Sequence, residues 1–176
     1  MQEKNEIRRQ MQAQRAAMDI VAKARLDIAI CTKLEQLIEI REAKVVHAYL
    51  PMGSEVDIFP LLEKLLTVGI TIVAPKSLKG RKLKNLALHS LQQLEDGIFG
   101  TKHPDHDEEY TGPIDLFIIP GLAFDKLHYR LGYGVGYYDN FLSSQPGYKI
   151  GVCYPFQLVE QLPAEDHDIP MDTVIY

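Results

Sequence analysis

With 176 residues, of which 46% are hydrophobic, the chain is long enough to bury the core of one domain. Its formal charge of −5 is spread without a strong block of either sign, which argues against a nucleic-acid partner held by phosphate neutralisation. The first residues lack the apolar core of a signal peptide, no apolar run approaches membrane-spanning length, and the two cysteines give no disulfide framework. We therefore expect a cytoplasmic protein with one domain, residues 1–176, and neither a nucleic-acid nor a membrane partner.

Two helices are predicted before the first strand. Glu3 to Met18 is a charged segment of strong helix formers, and Asp19 suits the N-cap of a second helix that runs to about Ile40. Strands are then predicted at Lys44 to Leu50, Ile70 to Pro75, Leu86 to Leu91, Asp115 to Pro120, Tyr148 to Tyr154 and Thr173 to Tyr176, and helices at Ile58 to Val68 and after Asp139. This order predicts a three-layer α/β/α, Rossmann-like fold with a mostly parallel sheet and two N-terminal helices.

Candidate functional residues follow several of these strands. The segment Leu50 to Glu55 follows the first strand, and a glycine-rich segment comes after the strand that ends at Pro120. Lys76 follows the second strand and could reach an anionic part of a ligand, such as a glutamate tail. Ligands of parallel α/β sheets bind beyond the carboxyl ends of the strands. The sequence therefore predicts that these segments meet at one rim of the sheet.

The glycine-rich segment is Arg130-Leu131-Gly132-Tyr133-Gly134-Val135-Gly136-Tyr137-Tyr138-Asp139. Glycines expose backbone N–H groups to an anion, a following helix adds partial positive charge, and Arg130 adds a forked donor for phosphate oxygens. Asp139 suits a divalent cation that accompanies the phosphates, so a magnesium nucleotide is the simplest ligand. A dinucleotide-binding turn fits poorly, because a loop from Gly121 to Leu131 separates the strand from the first glycine. A glycine-rich turn without a ligand remains the alternative.

The motif that begins Pro120-Gly121-Leu122-Ala123-Phe124-Asp125 and continues through Arg130 to Asp139 resembles the signature of 5-formyltetrahydrofolate cyclo-ligases, also called methenyltetrahydrofolate synthetases. Three other segments match the family in the same order: the pair Lys4 and Arg8, the segment Tyr49-Leu50-Pro51 with Glu55, and a C-terminal segment with Asp168. The resemblance covers nearly the whole chain. Alone, Lys4 and Arg8 would be an ordinary solvated helix face and Glu55 an exposed loop acid, so their assignments depend on the resemblance.

The resemblance implies an ATP-dependent ligase that converts 5-formyltetrahydrofolate to 5,10-methenyltetrahydrofolate, ADP and phosphate, with Mg²⁺ as cofactor and ATP as co-substrate. The formyl oxygen would be phosphorylated and N10 would then attack the formyl carbon. The implied ATP-binding residues are Lys4, Arg8, Arg130, Leu131, Gly132, Tyr133, Gly134, Val135, Gly136, Tyr137 and Tyr138; the substrate-binding residues are Leu50, Glu55 and Tyr137; the metal ligands are Asp139 and Asp168; and the catalytic residues are Arg130 and Tyr137. A monomer is expected, and the folate is expected with or without a polyglutamate tail.

Three residues depart from the family pattern. Val135 and His128 stand where glycine is common, and Asn140 replaces a frequent arginine. A branched side chain disfavours positive φ, so the loop conformation near Val135 is expected to differ from that of a glycine. Two other functions stay open at this point: a folate- or nucleotide-binding protein without turnover, and a different enzyme on a similar scaffold, such as a sugar-phosphate isomerase.

Overall fold

The computed structural model describes residues 2–165 and 168–176. The helices are α1 (Gln2–Ala16), α2 (Ile20–Ile40), α3 (Phe59–Thr67) and α4 (Tyr137–Leu142), and short 3₁₀ segments lie at Ile98–Gly100 and Pro155–Gln157. The strands are β1 (Val45–Ala48), β2 (Thr71–Leu78), β3 (Lys82–Leu88), β4 (Leu94–Asp96), β5 (Lys102–Pro104), β6 (Leu116–Pro120), β7 (Ala123–Asp125), β8 (Arg130–Leu131), β9 (Tyr148–Val152), β10 (Leu158–Val159) and β11 (Thr173–Ile175). In this part of the chain, no helix is long and apolar enough to cross a bilayer.

A six-stranded central sheet has the order β11-β9-β6-β1-β2-β3. All neighbours are parallel except β2 and β3, which form an antiparallel hairpin. Val46 of β1 pairs with Ile72 of β2 on one side and Leu116 of β6 on the other. Such inner strands are buried on both faces, which is why they are continuous apolar runs in the sequence. The predicted mostly parallel sheet is confirmed.

Helices cover both faces of this sheet. Ile30 and Leu34 of α2 and Leu62 of α3 are buried in one core cluster with Val46 and Ile118. The opposite face is covered by a second cluster, whose buried members include Phe117, Ile119 and Leu142 of α4. Met11 of α1 belongs to a third cluster with Leu122 and Leu131. The three-layer arrangement and the two N-terminal helices therefore agree with the prediction.

The second helix begins where the sequence predicts. The Asp19 side chain accepts hydrogen bonds from the N–H groups of Val21 and Ala22 at 3.0 and 2.9 Å. These two groups would otherwise have no partner in the first turn, and Asp19 supplies one.

The hairpin of β2 and β3 differs from the prediction. Strand β2 continues to Leu78 and pairs with β3 from Lys82 onward, so Lys76 lies inside a strand instead of following one. Its Nζ lies 3.2 Å from Asp107 Oδ1 and 3.7 Å from Glu95 Oε1. The outer half of the hairpin is only partly buried and contains polar residues, so it lacks the apolar run that marks a buried strand.

The segment Gly121 to Leu131 is a hairpin and not the predicted loop. Strands β7 and β8 pair within it, and β10 joins them in a three-stranded sheet. At its turn His128 has a φ of +65°, the left-handed conformation that explains why glycine suits this position. The helix expected after Asp139 begins at Tyr137 instead, so Asp139 lies in its first turn.

Candidate active site

A cleft of about 1010 Å³ lies beyond the carboxyl ends of β1 and β6. Its walls come from α1, the β2–β3 hairpin, the segment after β1 and the glycine-rich segment. The fifteen predicted site residues all line it: Lys4, Arg8, Leu50, Glu55, Arg130, Leu131, Gly132, Tyr133, Gly134, Val135, Gly136, Tyr137, Tyr138, Asp139 and Asp168. Segments as far apart in sequence as residues 4 and 168 thus face the same space. Lys76 does not line the cleft, so its suggested contact with an anionic ligand is not supported.

The glycine-rich segment changes conformation along its length. Arg130 and Leu131 belong to β8, and Gly134 and Gly136 have φ values of +97° and +80°. Val135 is not among the residues with positive φ. A branched residue is therefore compatible with the backbone at this position, and the departure from glycine causes no strain there.

Two arginines approach the glycines closely. Arg8 Nε donates to the Gly132 carbonyl oxygen at 2.9 Å, and Arg8 Nη1 donates to Asn5 Oδ1 at 2.7 Å. A Cβ on Gly134 would lie 3.2 Å from Arg8 Cζ, and a Cβ on Gly132 would lie 2.5 Å from Arg130 Nη1. The absence of side chains at these two positions therefore lets both guanidinium groups lie against the backbone.

Lys4 joins α1 to the C-terminal segment. Its Nζ lies 2.8 Å from Glu165 Oε1 and 3.4 Å from Asp168 Oδ2. Partial burial lowers the pKa of Lys4, but the hydrogen bonds and charges of the two carboxylates outweigh burial and leave that pKa raised. Asp168 Oδ2 also accepts from the Glu165 N–H at 2.8 Å. Lys4 is thus held in its charged form at the edge of the cleft.

Arg130 and Asp139 form the most buried ion pair of the cleft. Arg130 Nη2 donates to Asp139 Oδ1 at 2.9 Å, and the two side chains are 5% and 19% exposed. Arg130 Nε is buried and has no hydrogen-bond partner among the described residues. Buried donors are nearly always satisfied in native proteins, so this group suits an acceptor that binds in the cleft.

The acidic residues of the cleft do not form a compact cluster. Within residues 2–165 and 168–176, no group of three His, Cys, Asp or Glu side chains is placed to hold a metal ion. Asp139 and Asp168 nevertheless line the same cleft, each beside a cation. Mg²⁺ is commonly bound by one or two carboxylates together with substrate phosphates and water. The donor set therefore fits a metal that arrives with a phosphorylated ligand.

Glu55 is the buried carboxylate of the cleft, with 5% exposure. Its Oε2 accepts from the Met52 N–H at 3.0 Å, and its Oε1 accepts from the Tyr133 hydroxyl at 2.9 Å. Burial raises the pKa of Glu55, although the Met52 N–H, the Arg15 charge and the Tyr133 hydroxyl each lower it in part. Leu50 is buried nearby in the wall of the cleft. We call Leu50, Met52 and Glu55 the Glu55 end, and Lys4, Arg8, Arg130 to Gly136, Asp139 and Asp168 the glycine-rich end.

Two tyrosines at the start of α4, Tyr137 and Tyr138, also line the cleft. The Tyr137 hydroxyl donates to the Leu78 carbonyl oxygen at 2.8 Å and so ties α4 to the end of β2. The Tyr138 hydroxyl is buried without a partner among the described residues, and burial raises its pKa. The Tyr138 ring lies edge-on to His47 with centroids 6.0 Å apart, and Arg130 Cζ lies 5.5 Å from the ring centroid. Tyr138 is thus a wall residue whose hydroxyl is available as a neutral donor.

Further cleft residues escaped the sequence analysis. They include Asn5, Ser77, Arg81, Phe99, Thr101, Lys102 and Glu165. Phe99 is 70% exposed and has a φ of +58°, and its ring centroid lies 6.4 Å from that of Tyr137. An aromatic residue between Gly97 and Gly100 was a signal that could have identified this position.

The comparisons with known proteins agree on one family. The model of the 5-formyltetrahydrofolate cyclo-ligase family matches residues 1–176. The cyclo-ligase of Mycoplasma genitalium is 32% identical over 180 residues, which are 99% of this chain and 98% of that relative. The cyclo-ligase of Escherichia coli (strain K12) is 33% identical over 141 residues, 76% of this chain and 78% of that relative.

A solved structure agrees with these relatives. The NMR structure of Aquifex aeolicus 5,10-methenyltetrahydrofolate synthetase has a TM-score of 0.85 and 35% identity, and the match covers 98% of this chain and 88% of that chain. Sequence and fold thus lead to the same conclusion over nearly the full length. This chain belongs to the 5-formyltetrahydrofolate cyclo-ligase family.

Proposed function

We propose that the cleft catalyses the ATP-dependent cyclisation of 5-formyltetrahydrofolate to 5,10-methenyltetrahydrofolate, with release of ADP and phosphate. The observation that supports this most is the convergence on one cleft of the glycine-rich segment and the buried Glu55 with the cations Lys4, Arg8 and Arg130 and the carboxylates Asp139 and Asp168. The glycine-rich end suits a triphosphate, and the Glu55 end suits a ring with N–H donors.

The chemistry has two steps. The formyl oxygen first attacks the γ-phosphorus, and the bond from that phosphorus to ADP breaks. N10 of the folate then attacks the formyl carbon, the carbon–oxygen bond breaks, and the oxygen leaves within phosphate while N10 loses its proton. No covalent bond to the protein is needed. Catalysis then consists of alignment and charge stabilisation, as in phosphoryl transfer generally.

The glycine-rich end supplies the charge. Arg8 and Arg130 are fixed against Gly134 and Gly132, and Lys4 reaches the same cleft from the first turns of α1. Their donors would contact the phosphate oxygens, together with backbone N–H groups of the segment through Tyr138. The buried Nε of Arg130 would gain an acceptor when the phosphates bind. Arg130 is therefore the residue that we expect to stabilise the transferring group.

Asp139 and Asp168 would hold Mg²⁺ with the nucleotide. Both are hard oxygen donors, and both line the cleft beside the cations that would bind the phosphates. A bound magnesium ion neutralises charge on phosphate oxygens. Arg130 and Lys4 now pair with these carboxylates, so nucleotide binding would give each cation a phosphate partner and leave the carboxylates for the metal.

The Glu55 end would bind the pterin. The carboxylate of Glu55 has lone pairs beyond the two that Met52 and Tyr133 use, and these suit the amino and ring N–H groups of a pterin. Leu50 would contact the ring system, and Tyr137, which also lines the cleft, would contact both ligands. A monomer would suffice, because every proposed ligand group comes from one chain. The glutamate part of the folate, with or without further glutamates, would extend from the cleft.

The test is a direct assay of both products. Protein, magnesium ATP and 5-formyltetrahydrofolate are mixed, and the near-ultraviolet absorbance of the methenyl bridge is followed together with ADP release. We expect both signals to appear together and to require ATP. Binding of both ligands by folded protein without turnover would instead support a binding protein, and turnover without ATP would support a different enzyme.

A further inference from the structure

We propose that Arg15 is a positioning residue that couples the two ends of the cleft by holding the Tyr133 hydroxyl against the Glu55 carboxylate. This inference rests on the proposed function, because it assigns the nucleotide to the glycine-rich end and the folate to the Glu55 end. Arg15 itself is outside the set of residues that line the cleft, so it would act through Tyr133 and Glu55.

Arg15 bridges three segments that are far apart in the chain. Its Nη2 donates to the Tyr133 hydroxyl oxygen at 2.8 Å, and its Nε donates to Ser54 Oγ at 3.2 Å. The Tyr133 hydroxyl in turn donates to Glu55 Oε1 at 2.9 Å. Helix α1, the segment after β1 and the glycine-rich segment are therefore joined through one guanidinium group.

The directions of these hydrogen bonds are fixed by chemistry. A guanidinium group can only donate, so the Tyr133 oxygen must accept from Arg15 and its proton must point elsewhere. Burial raises the pKa of Tyr133 to about 12, which keeps that proton in place at neutral pH. The proton is directed to Glu55 Oε1. The chain of donors from Arg15 through Tyr133 to Glu55 thus has one orientation, and it leaves the other lone pairs of Glu55 for a ligand.

The charge of Arg15 supports the same role. Arg15 is 6% exposed, and in the described part of the chain no carboxylate oxygen lies within 4.0 Å of it. A buried cation is costly, and here the hydrogen bonds to Ser54 and Tyr133 and the Coulombic attraction to Glu55 offset part of that cost. The planar fork matters as well, because a lysine could not hold Ser54 and Tyr133 with two donors in fixed geometry.

Coupling follows from the position of Tyr133. Its neighbours Gly132 and Gly134 belong to the segment that would bind the nucleotide, and its hydroxyl contacts the carboxylate that would bind the folate. A nucleotide that fixes the segment also fixes Tyr133 and hence Glu55. By thermodynamic reciprocity, each ligand should then strengthen the binding of the other.

The experiment measures this coupling with the whole chain. Calorimetry gives the Kd of 5-formyltetrahydrofolate with and without Mg²⁺ and the non-hydrolysable ATP analogue adenylyl imidodiphosphate. For the unchanged protein we expect the analogue to strengthen folate binding about tenfold. In Arg15→Met the ratio should fall to nearly one. The matched control is Arg9→Met on the same helix, because the Arg9 side chain is 78% exposed and pairs only locally with Glu6; it should keep the full ratio.

A second variant keeps the test decisive if Arg15→Met does not fold. Tyr133→Phe removes one hydroxyl from a residue that is 39% exposed, and it should abolish the coupling to the same extent. The double variant should then lose no more than either single variant, because both act through one chain of contacts. Full coupling in folded Arg15→Met or Tyr133→Phe would overturn the proposal. If the unchanged protein binds both ligands without coupling, this inference fails alone; if it binds neither, the proposed function fails.

Discussion

The two ends of the cleft handle charge in opposite ways. At the glycine-rich end, Lys4 and Arg130 each have a carboxylate partner, and these pairs line an open cleft. At the other end, Glu55 is 5% exposed, and its carboxylate is held by hydrogen bonds. Arg15 is linked to this carboxylate through the Tyr133 hydroxyl. The first arrangement can exchange partners when a charged ligand arrives. In the second arrangement, the carboxylate is already oriented by hydrogen bonds before a ligand with N–H donors binds.

This difference predicts different responses to substitution. Changes at the glycine-rich end should mainly reduce turnover. A change at Lys4 should have a small effect on folding, because its pair with Glu165 is partly exposed. A change at the buried Arg130–Asp139 pair should also lower stability. Changes around Glu55 should alter both ligand affinity and its dependence on pH, because a buried ionisable group responds strongly to its surroundings. The following four experiments test the contrast, beginning with the largest expected effect.

Arg130→Lys should be the most damaging conservative change. It keeps the charge but loses the planar fork, in which Nη2 pairs with Asp139 and the buried Nε is without a partner among the described residues. We therefore expect kcat to fall roughly 10²–10³-fold. Methenyl absorbance measures kcat, and thermal unfolding reports folding. Arg25→Lys, at an exposed position of α2, is the matched control and should leave kcat unchanged. A near-normal kcat in Arg130→Lys would contradict the role of Arg130.

Asp139→Asn should reduce turnover on the order of 100-fold, because it removes one charged ligand of the proposed metal. The protein should still fold, and higher Mg²⁺ concentrations should be needed for the remaining activity. A titration of initial rate against Mg²⁺ measures this shift. Asp105→Asn is the control, since Asp105 is exposed and does not line the cleft. An unchanged Mg²⁺ requirement would exclude Asp139 as a ligand.

The affinity for 5-formyltetrahydrofolate should fall about tenfold per pH unit once Glu55 becomes protonated. Because burial raises the pKa of Glu55, this fall should begin at a higher pH than for an ordinary glutamate. The raised pKa also means that the folded chain holds the Glu55 proton more tightly than the unfolded chain does. Protonation of Glu55 therefore stabilises the fold at pH values below the pKa of Glu55 in the unfolded chain, and this stabilisation is lost as the pH rises through its pKa in the folded chain. Calorimetry across the pH range checks the affinity, and Glu55→Gln should bind weakly without this pH dependence. An equally strong pH dependence in that variant would assign it to another group.

His47, a buried residue whose ring lies edge-on to that of Tyr138, provides the last test. Burial lowers the pKa of His47 from 6.5 to about 3, and neither ring nitrogen has a partner among the described residues. Between pH 6.5 and about 3, the unfolded chain therefore binds a proton at this histidine more readily than the folded chain does. Over that range the free energy of unfolding should fall by at most about 1.4 kcal/mol for each unit by which the pH is lowered. Urea unfolding at several pH values measures the slope. His47→Leu should flatten it, whereas the exposed control His89→Gln should not; equal slopes would contradict the buried neutral state.

The sequence was most informative where physical signals are local. Asp19 marks the start of α2 because a side chain that caps a helix must stand at its first residue. The inner strands are recognisable because both of their faces are buried. The fifteen site residues that the family resemblance supplied all line one cleft, although their individual roles remain predictions.

The features that the sequence did not reveal depend on tertiary contacts. The β7–β8 hairpin is short, and the outer half of β2 and β3 is polar, so neither has a strong periodic pattern. From the sequence alone, Lys76 could equally be a ligand-binding lysine, because only the fold shows that Asp107 lies beside it. Arg15 follows Arg8 and Met11 at helical spacing, which was a usable signal for the inner face of α1. Its partners Ser54 and Tyr133 are distant in sequence, and only the fold brings them together.

The spacing of residues along helix α1 also limits which changes in its length the protein can tolerate. Lys4, Arg8, Met11 and Arg15 recur on one face, and with a rise of 1.5 Å per residue the first and last are about 16 Å apart along the axis. One inserted residue between them would rotate one part of that face by roughly 100° relative to the other. The helix should therefore tolerate many exchanges at its outer positions but hardly any single-residue insertion or deletion, and a natural length change in this helix should come close to whole turns.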